Sequence, residues 1–163
     1  MKRPEGSASQ WRQDDGVSSL QRKAETGTLH CLVSSASKTR RNLISDAASG
    51  VGWETIICPS ADIALGEFKR NRVHFAMVDL DDHGETPTGA RELVQTLAQD
   101  PSQILVGVCG HEANPEEEIW VRQLGIWLYL PGVTTSTEIA LLCEHAMQIV
   151  TERGLGEEAV SVG

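Results

Sequence analysis

A chain of 163 residues is one domain's worth of protein, long enough to bury a core without disulfide or metal staples. Its 14 Lys plus Arg against 23 Asp plus Glu give a formal net charge of -9, which opposes long-range attraction to nucleic acid or anionic lipid. No apolar run reaches the roughly 18 residues a membrane span needs. Polar residues follow Lys2 and Arg3 where a signal peptide requires an apolar stretch, so the chain reads as cytoplasmic, with neither nucleic acid nor membrane as partner.

Residues 1–27 mix Ser, Gly, Gln and both signs of charge around Trp11, Val17 and Leu20. Such a segment buries too little to offset its ordering entropy and is expected to be a flexible polar tail, with Trp11 either incidental or an anchor for a partner. The domain proper is expected over 28–154. It opens with a strand at Leu29 to Val33, and Ser37 then caps a helix whose stripe is Leu43, Ile44, Ala47 and Ala48 and which Gly50 and Gly52 stop.

Trp53 to Ile57 reads as a second strand, and Ser60 caps a second helix with Ala61, Ala64, Leu65 and Phe68 at helical spacing. Next comes VHFAMVDLDD, Val73 to Asp82, around which the rest is organised. The run Phe75 to Val78 has the unbroken apolar character of a strand buried on both faces, and it ends in Asp79, Asp81 and Asp82. A buried parallel strand that ends in acid brings charge to the carboxyl edge of a sheet, where open α/β folds do their chemistry.

Ala90, Leu93, Val94 and Leu97 mark a third helix that Asp100 and Pro101 end, and Ile104 to Val108 is a fourth strand. Asn114 followed by Pro115 caps a fourth helix, whose Glu116, Glu117 and Glu118 suit the positive end of its dipole. Ile126 to Leu130 is a fifth strand. Thr135 and Glu138 form a capping box for a last helix that Arg153 and Gly154 close, leaving 155–163 as a C-terminal tail. Strand and helix alternating five times with short loops predict a doubly wound parallel sheet. Cys31, Cys58, Cys109 and Cys143 contain no CxxC pair and read as small core residues, not as disulfides or a zinc site.

With Asp79 at the end of strand three, the stretch from about Leu29 to Arg153 resembles the receiver domain of two-component response regulators. The resemblance implies a flavodoxin-like (βα)5 sheet in the order 2-1-3-4-5, and an aspartate, here Asp79, that accepts a phosphoryl group. It also implies an acidic pair that holds Mg²⁺ at the end of strand one, a Thr or Ser at the end of strand four, and a lysine before a proline at the end of strand five. Those places hold Ser34 and Ser35, Cys109, and Leu130 before Pro131. In the family the backbone carbonyl at Asp81 would touch the metal. A hydroxyl is a poor substitute for a carboxylate toward a hard divalent ion, and a thiol is a weak donor. Phosphoryl transfer depends on stabilising spread-out negative charge, so these losses together remove several orders of magnitude in rate.

The chain therefore resembles an atypical receiver, or pseudo-receiver. The expectation is a stand-alone, non-enzymatic signalling module that works by protein contact, independent of Asp79 phosphorylation or only weakly dependent on it. No cofactor is expected, except Mg²⁺ if Asp79 is phosphorylated. The expected partner is a signalling protein, with a histidine kinase among the possibilities. Helix four, strand five and helix five are expected to carry the contact or a homodimer interface through Trp120, Trp127 and Tyr129. Two alternatives stay open. One is a working phosphoacceptor using Asp79; the other is a small-ligand or metal binder using the basic, hydroxyl-rich loop Ser34 to Arg41, or His83 and His111 with the nearby Cys109 and aspartates.

Overall fold

Phe75–Asp79 lies at the centre of a five-stranded sheet, every residue of it buried. The computed structural model describes residues 28–80, 88–100, 103–111, 114–132 and 135–162. Strands β1 (His30–Ser34), β2 (Glu54–Cys58), β3 (Phe75–Asp79), β4 (Leu105–Gly110) and β5 (Leu128–Pro131) alternate with helices α1 (Lys38–Val51), α2 (Ala61–Arg70), α3 (Thr88–Leu97), α4 (Pro115–Gln123) and α5 (Ser136–Val162). All neighbouring strands pair in parallel, in the order β2-β1-β3-β4-β5. This is the doubly wound, flavodoxin-like arrangement expected from the alternation.

Helices cover both faces of the sheet, so successive residues of the central strands enter two different cores. Leu32, Ala76, Val78 and Val108 pack on one side with Ala64 of α2, Leu93 and Val94 of α3 and Val121 of α4. Val33, Phe75, Met77 and Cys109 pack on the other with Ile44 and Ala48 of α1 and Ile139 and Cys143 of α5. An unbroken apolar run is the sequence record of that double covering, and each large side chain fully buried in it contributes about 1.5–3 kcal/mol. Gly107 of β4 belongs to the same fit, because a Cβ there would lie 2.7 Å from the Met77 sulfur. The Trp53 indole N–H donates to the Cys143 carbonyl at 2.9 Å and ties α5 to the start of β2.

Four helices start where the sequence marks them. The side chains of Ser37, Ser60, Asn114 and Thr135 accept the backbone N–H groups of Arg40, Ile63, Glu117 and Glu138, each satisfying a donor that the first turn leaves open. Helix α1 ends on Gly52, whose φ of 121° is open to glycine and whose N–H caps the Ala48 carbonyl.

The far end of α5 differs from expectation. The helix runs to Val162, through the stretch expected to be a C-terminal tail after Gly154. A glycine costs a propagating helix only about 1 kcal/mol relative to alanine, and no proline follows to stop it. The expected N-terminal tail with Trp11 lies outside the described residues. Among the described residues no helix is long and apolar enough to cross a membrane.

Candidate functional site

Asp79 ends β3 at the carboxyl edge of the sheet, and its side chain is fully buried. Each carboxylate oxygen has a partner. The Ser35 hydroxyl donates to Oδ2 at 2.7 Å, and Nη2 of Arg40 lies 2.9 Å from Oδ1. Arg40 reaches the aspartate because Ser37 caps α1 and sets residue 40 at the third helical position, one turn back over the sheet edge. The turn is held by a second arginine, since Arg41 donates from Nη1 to the Ser35 carbonyl at 3.0 Å, and by the Ser37 N–H donating to the Ser35 hydroxyl oxygen at 3.2 Å.

The basic loop that the sequence offers as an anion site thus finds its anion inside the molecule. Arg40 is spent on Asp79 and Arg41 on the backbone of Ser35, so the Ser34 to Arg41 loop does not present the pair to an outside ligand. The Arg40–Asp79 pairing was not visible in the sequence as a contact. The available signal was an arginine three residues after a helix cap, opposite a strand ending in acid.

The other expected positions fall around this carboxylate. Ser34 is buried at the end of β1 beside Ser35, and only Ser35 bonds to Asp79. Cys109 stands directly across from Asp79 in the β3–β4 register, and its carbonyl accepts the Leu80 N–H at 2.7 Å. Burial first, and then the Asp79 charge, pushes the Cys109 thiol up to about 12 against the opposing pull of Arg40, so the group is a neutral thiol and a weak donor. Pro131 ends β5 opposite Gly110 and is exposed, while Leu130, in the place of the family's lysine, packs against the core on the α1 and α5 side. Asp81, Asp82 and His83 lie outside the described residues. A cleft of about 230 Å³ opens beside Asp79, lined in part by Ser34, Ser60, Asp62 and Gly89.

The three aromatic residues expected to form one contact surface are divided among different surroundings. Tyr129 is buried, and its hydroxyl donates to Oε1 of Glu117 at 3.1 Å. Burial and the Glu117 carboxylate hold its phenol well above the usual range. Trp127 sits on the opposite side of the sheet, edge-on to Phe75 at 5.9 Å and to His145 at 5.8 Å. Trp120 lies on α4 under the Arg91 guanidinium, 5.0 Å from its ring centre. Tyr129 is packed into the core shared with α2, α3 and α4, so its ring offers almost no exposed area to a partner. Among the described residues, the large apolar side chains that α4 and α5 expose are Ile119 and Leu141, 57% and 60% accessible.

Glu117 is a second buried carboxylate that sequence reasoning placed only at a helix start. Besides Tyr129, its Oε1 accepts the His111 N–H at 3.2 Å, and Arg91 stands 3.9 Å from its Oε2. Gly110 lies under this arrangement, where a Cβ would collide with both the Tyr129 hydroxyl and Glu117 Oε1. The four cysteines are all free and buried, as the sequence suggests. Among the described residues no group of three His, Cys, Asp or Glu could hold a metal ion, and His111 is exposed.

No family model matches the chain. No curated protein matches it either. Solved structures do match its fold. The CheY-like response-regulator receiver domain of Methanospirillum hungatei superposes with a TM-score of 0.63 at 14% identity, covering 78% of this chain and 97% of that one. The NtrX receiver domain of Brucella abortus gives 0.60 at 20% identity, covering 72% and 98%. The chemotaxis response regulator CheY4 of Vibrio cholerae gives 0.61 at 15% identity, covering 74% and 99%. The chain thus has the fold of response-regulator receiver domains, with an aspartate ending its third strand.

Proposed function

We propose that this chain is a receiver-like signalling module that acts through contact with a protein partner, without phosphoryl transfer to Asp79 and without enzymatic activity of its own. The observation that carries this reading is the buried Asp79 carboxylate, with one oxygen on the Ser35 hydroxyl and the other beside the Arg40 guanidinium. A nucleophile must present a lone pair in line with phosphorus, and the transition state needs cations around the transferring oxygens. Asp79 has a close partner at each carboxylate oxygen, hydroxyls in place of the metal-binding acids, and a leucine where the family has its lysine.

The partner surface is proposed on α4, β5 and α5, with the exposed Ile119 and Leu141 in place of the aromatic residues first expected there. A signalling protein is the proposed occupant, in the cytoplasm, and a second copy of the chain using the same face is the alternative. The test compares partner capture and self-association by the wild-type chain, Asp79→Asn, and an Ile119→Asp/Leu141→Asp variant, each checked for native circular dichroism. The same complexes are expected with Asp79→Asn and none with the surface variant. Complexes that require both Asp79 and a phosphodonor would contradict the proposal.

A further inference from the structure

Receiver domains imply Mg²⁺ at the end of β1, and the residues in this chain do not fit one. Magnesium demands near-octahedral oxygen ligands at about 2.0–2.1 Å and favours anionic ones. The acid pair is replaced by Ser34 and Ser35. The Ser35 hydroxyl is already committed, donating to Asp79 while its oxygen accepts the Ser37 N–H. Among the described residues, the carboxylate at this place is Asp79, and it has a guanidinium nitrogen 2.9 Å from Oδ1. A divalent ion on that carboxylate would sit within a few ångströms of the arginine's charge, in a place where burial weakens screening.

We infer that Arg40 is the resident cation of this site, a covalently tethered positive charge that takes the place of the divalent ion and makes the carboxyl edge indifferent to metal. The inference deepens the phosphorylation-independent reading, on which it rests, by naming what holds Asp79 in a single state. The local structure supports a fixed role. The Arg40 side chain is only 17% exposed, its position is set by the Ser37 cap, and Arg41 braces the same turn through the Ser35 carbonyl. A planar guanidinium is well suited to this duty, since it stays charged at any physiological pH and is less strongly hydrated than an ammonium. The tether also removes any dependence on ion concentration: bound metal is lost on dilution, and a side chain is not.

The test uses Mn²⁺ as the probe, read by paramagnetic broadening of the Ser34, Ser35, Asp79 and Leu80 amide signals in the full chain. Wild type and Arg40→Lys, which both keep a cation, are expected to show no selective broadening, and their thermal midpoints are expected not to move with MgCl₂. Ser35→Asp rebuilds one acid beside Asp79 but leaves Arg40 in place. The Ser35→Asp/Arg40→Gln double variant rebuilds the acid and removes the arginine, and is expected to bind Mn²⁺ at least tenfold more tightly than Ser35→Asp alone. Saturable broadening of those amides in wild type would overturn the inference, as would equal Mn²⁺ affinity in the single and double variants. Neither result would touch the partner-capture experiment, so failure here is separable from failure of the proposed function.

Discussion

Among the described residues, the carboxyl edge of this domain holds two buried carboxylates, and they are neutralised in different ways. Asp79 is fully buried, with Nη2 of Arg40 2.9 Å from one carboxylate oxygen and the Ser35 hydroxyl donating to the other. Glu117 takes hydrogen bonds from a neutral phenol and a backbone N–H, and the Arg91 guanidinium stands farther off, 3.9 Å away and 38% exposed. The first arrangement centres on a close ion pair, and the second on neutral donors with a more distant guanidinium. The difference teaches how the same edge can hold a carboxylate in two ways: Asp79 at the end of β3 faces a guanidinium at close range, while Glu117 of α4 is tied to Tyr129 of β5 and to the His111 N–H after β4.

The largest effect that could break this comparison is at the close ion pair. Arg40→Met leaves the Asp79 charge buried without its cation and is expected to cost about 3–5 kcal/mol in urea unfolding. Arg40→Met/Asp79→Asn removes both charges and should cost clearly less than the sum of the two single changes. Additive losses would mean that the pair is not coupled.

The Glu117 site should respond less. Gly110→Ala forces a methyl group into the Tyr129 and Glu117 contact and is expected to lose about 1–3 kcal/mol by overpacking, read as a lower urea midpoint. Tyr129→Phe removes one of the donors to Glu117 and should cost only about 1 kcal/mol, because the His111 N–H remains on the same oxygen. A loss from Tyr129→Phe as large as that from Arg40→Met would erase the distinction between the two sites.

The smallest expected effect lies at the opposite edge of the sheet and serves as a contrast. The His74 Nδ1 accepts the His30 backbone N–H at 3.2 Å, and the two rings stack at 6.4 Å. Burial, then Arg72 and His30, lower the His74 pKa from its ordinary 6.5. Because the folded state resists this proton more than the unfolded chain does, the unfolded state binds more protons and stability falls as the medium is acidified through and below about pH 6.5. The urea midpoint is expected to be lower at pH 5.5 than at pH 8, and a His74→Gln variant should show a shallower dependence over the same interval.

Most of the architecture was legible because it is written locally. The run Phe75 to Val78 and the caps Ser37, Ser60, Asn114 and Thr135 each report the elements that contain them, and strand order followed from the likeness to receivers. β1, β2 and β4 start one residue later than expected and β3 starts at Phe75 as read, and for β5 the start at Leu128 rather than Ile126 accompanies a buried Tyr129. The site was legible only in part. The substitutions at Ser34, Ser35, Cys109 and Leu130 could be read position by position, yet the Arg40 contact joins residues 39 apart in sequence, and only the docking of α1 against the end of β3 brings them together. Exposure of an aromatic residue is likewise a property of packing, which is why Tyr129 and Trp127 were assigned to a surface they do not share.

Intact-mass analysis of the wild-type chain after incubation with a small-molecule phosphodonor and Mg²⁺, with Asp79→Asn alongside, tests the central claim most directly. The expected result is that neither protein gains a labile phosphoryl adduct, since Arg40 and Ser35 engage the carboxylate. A labile adduct on wild type that disappears in Asp79→Asn would show that the aspartate is open to attack on phosphorus and would contradict the account.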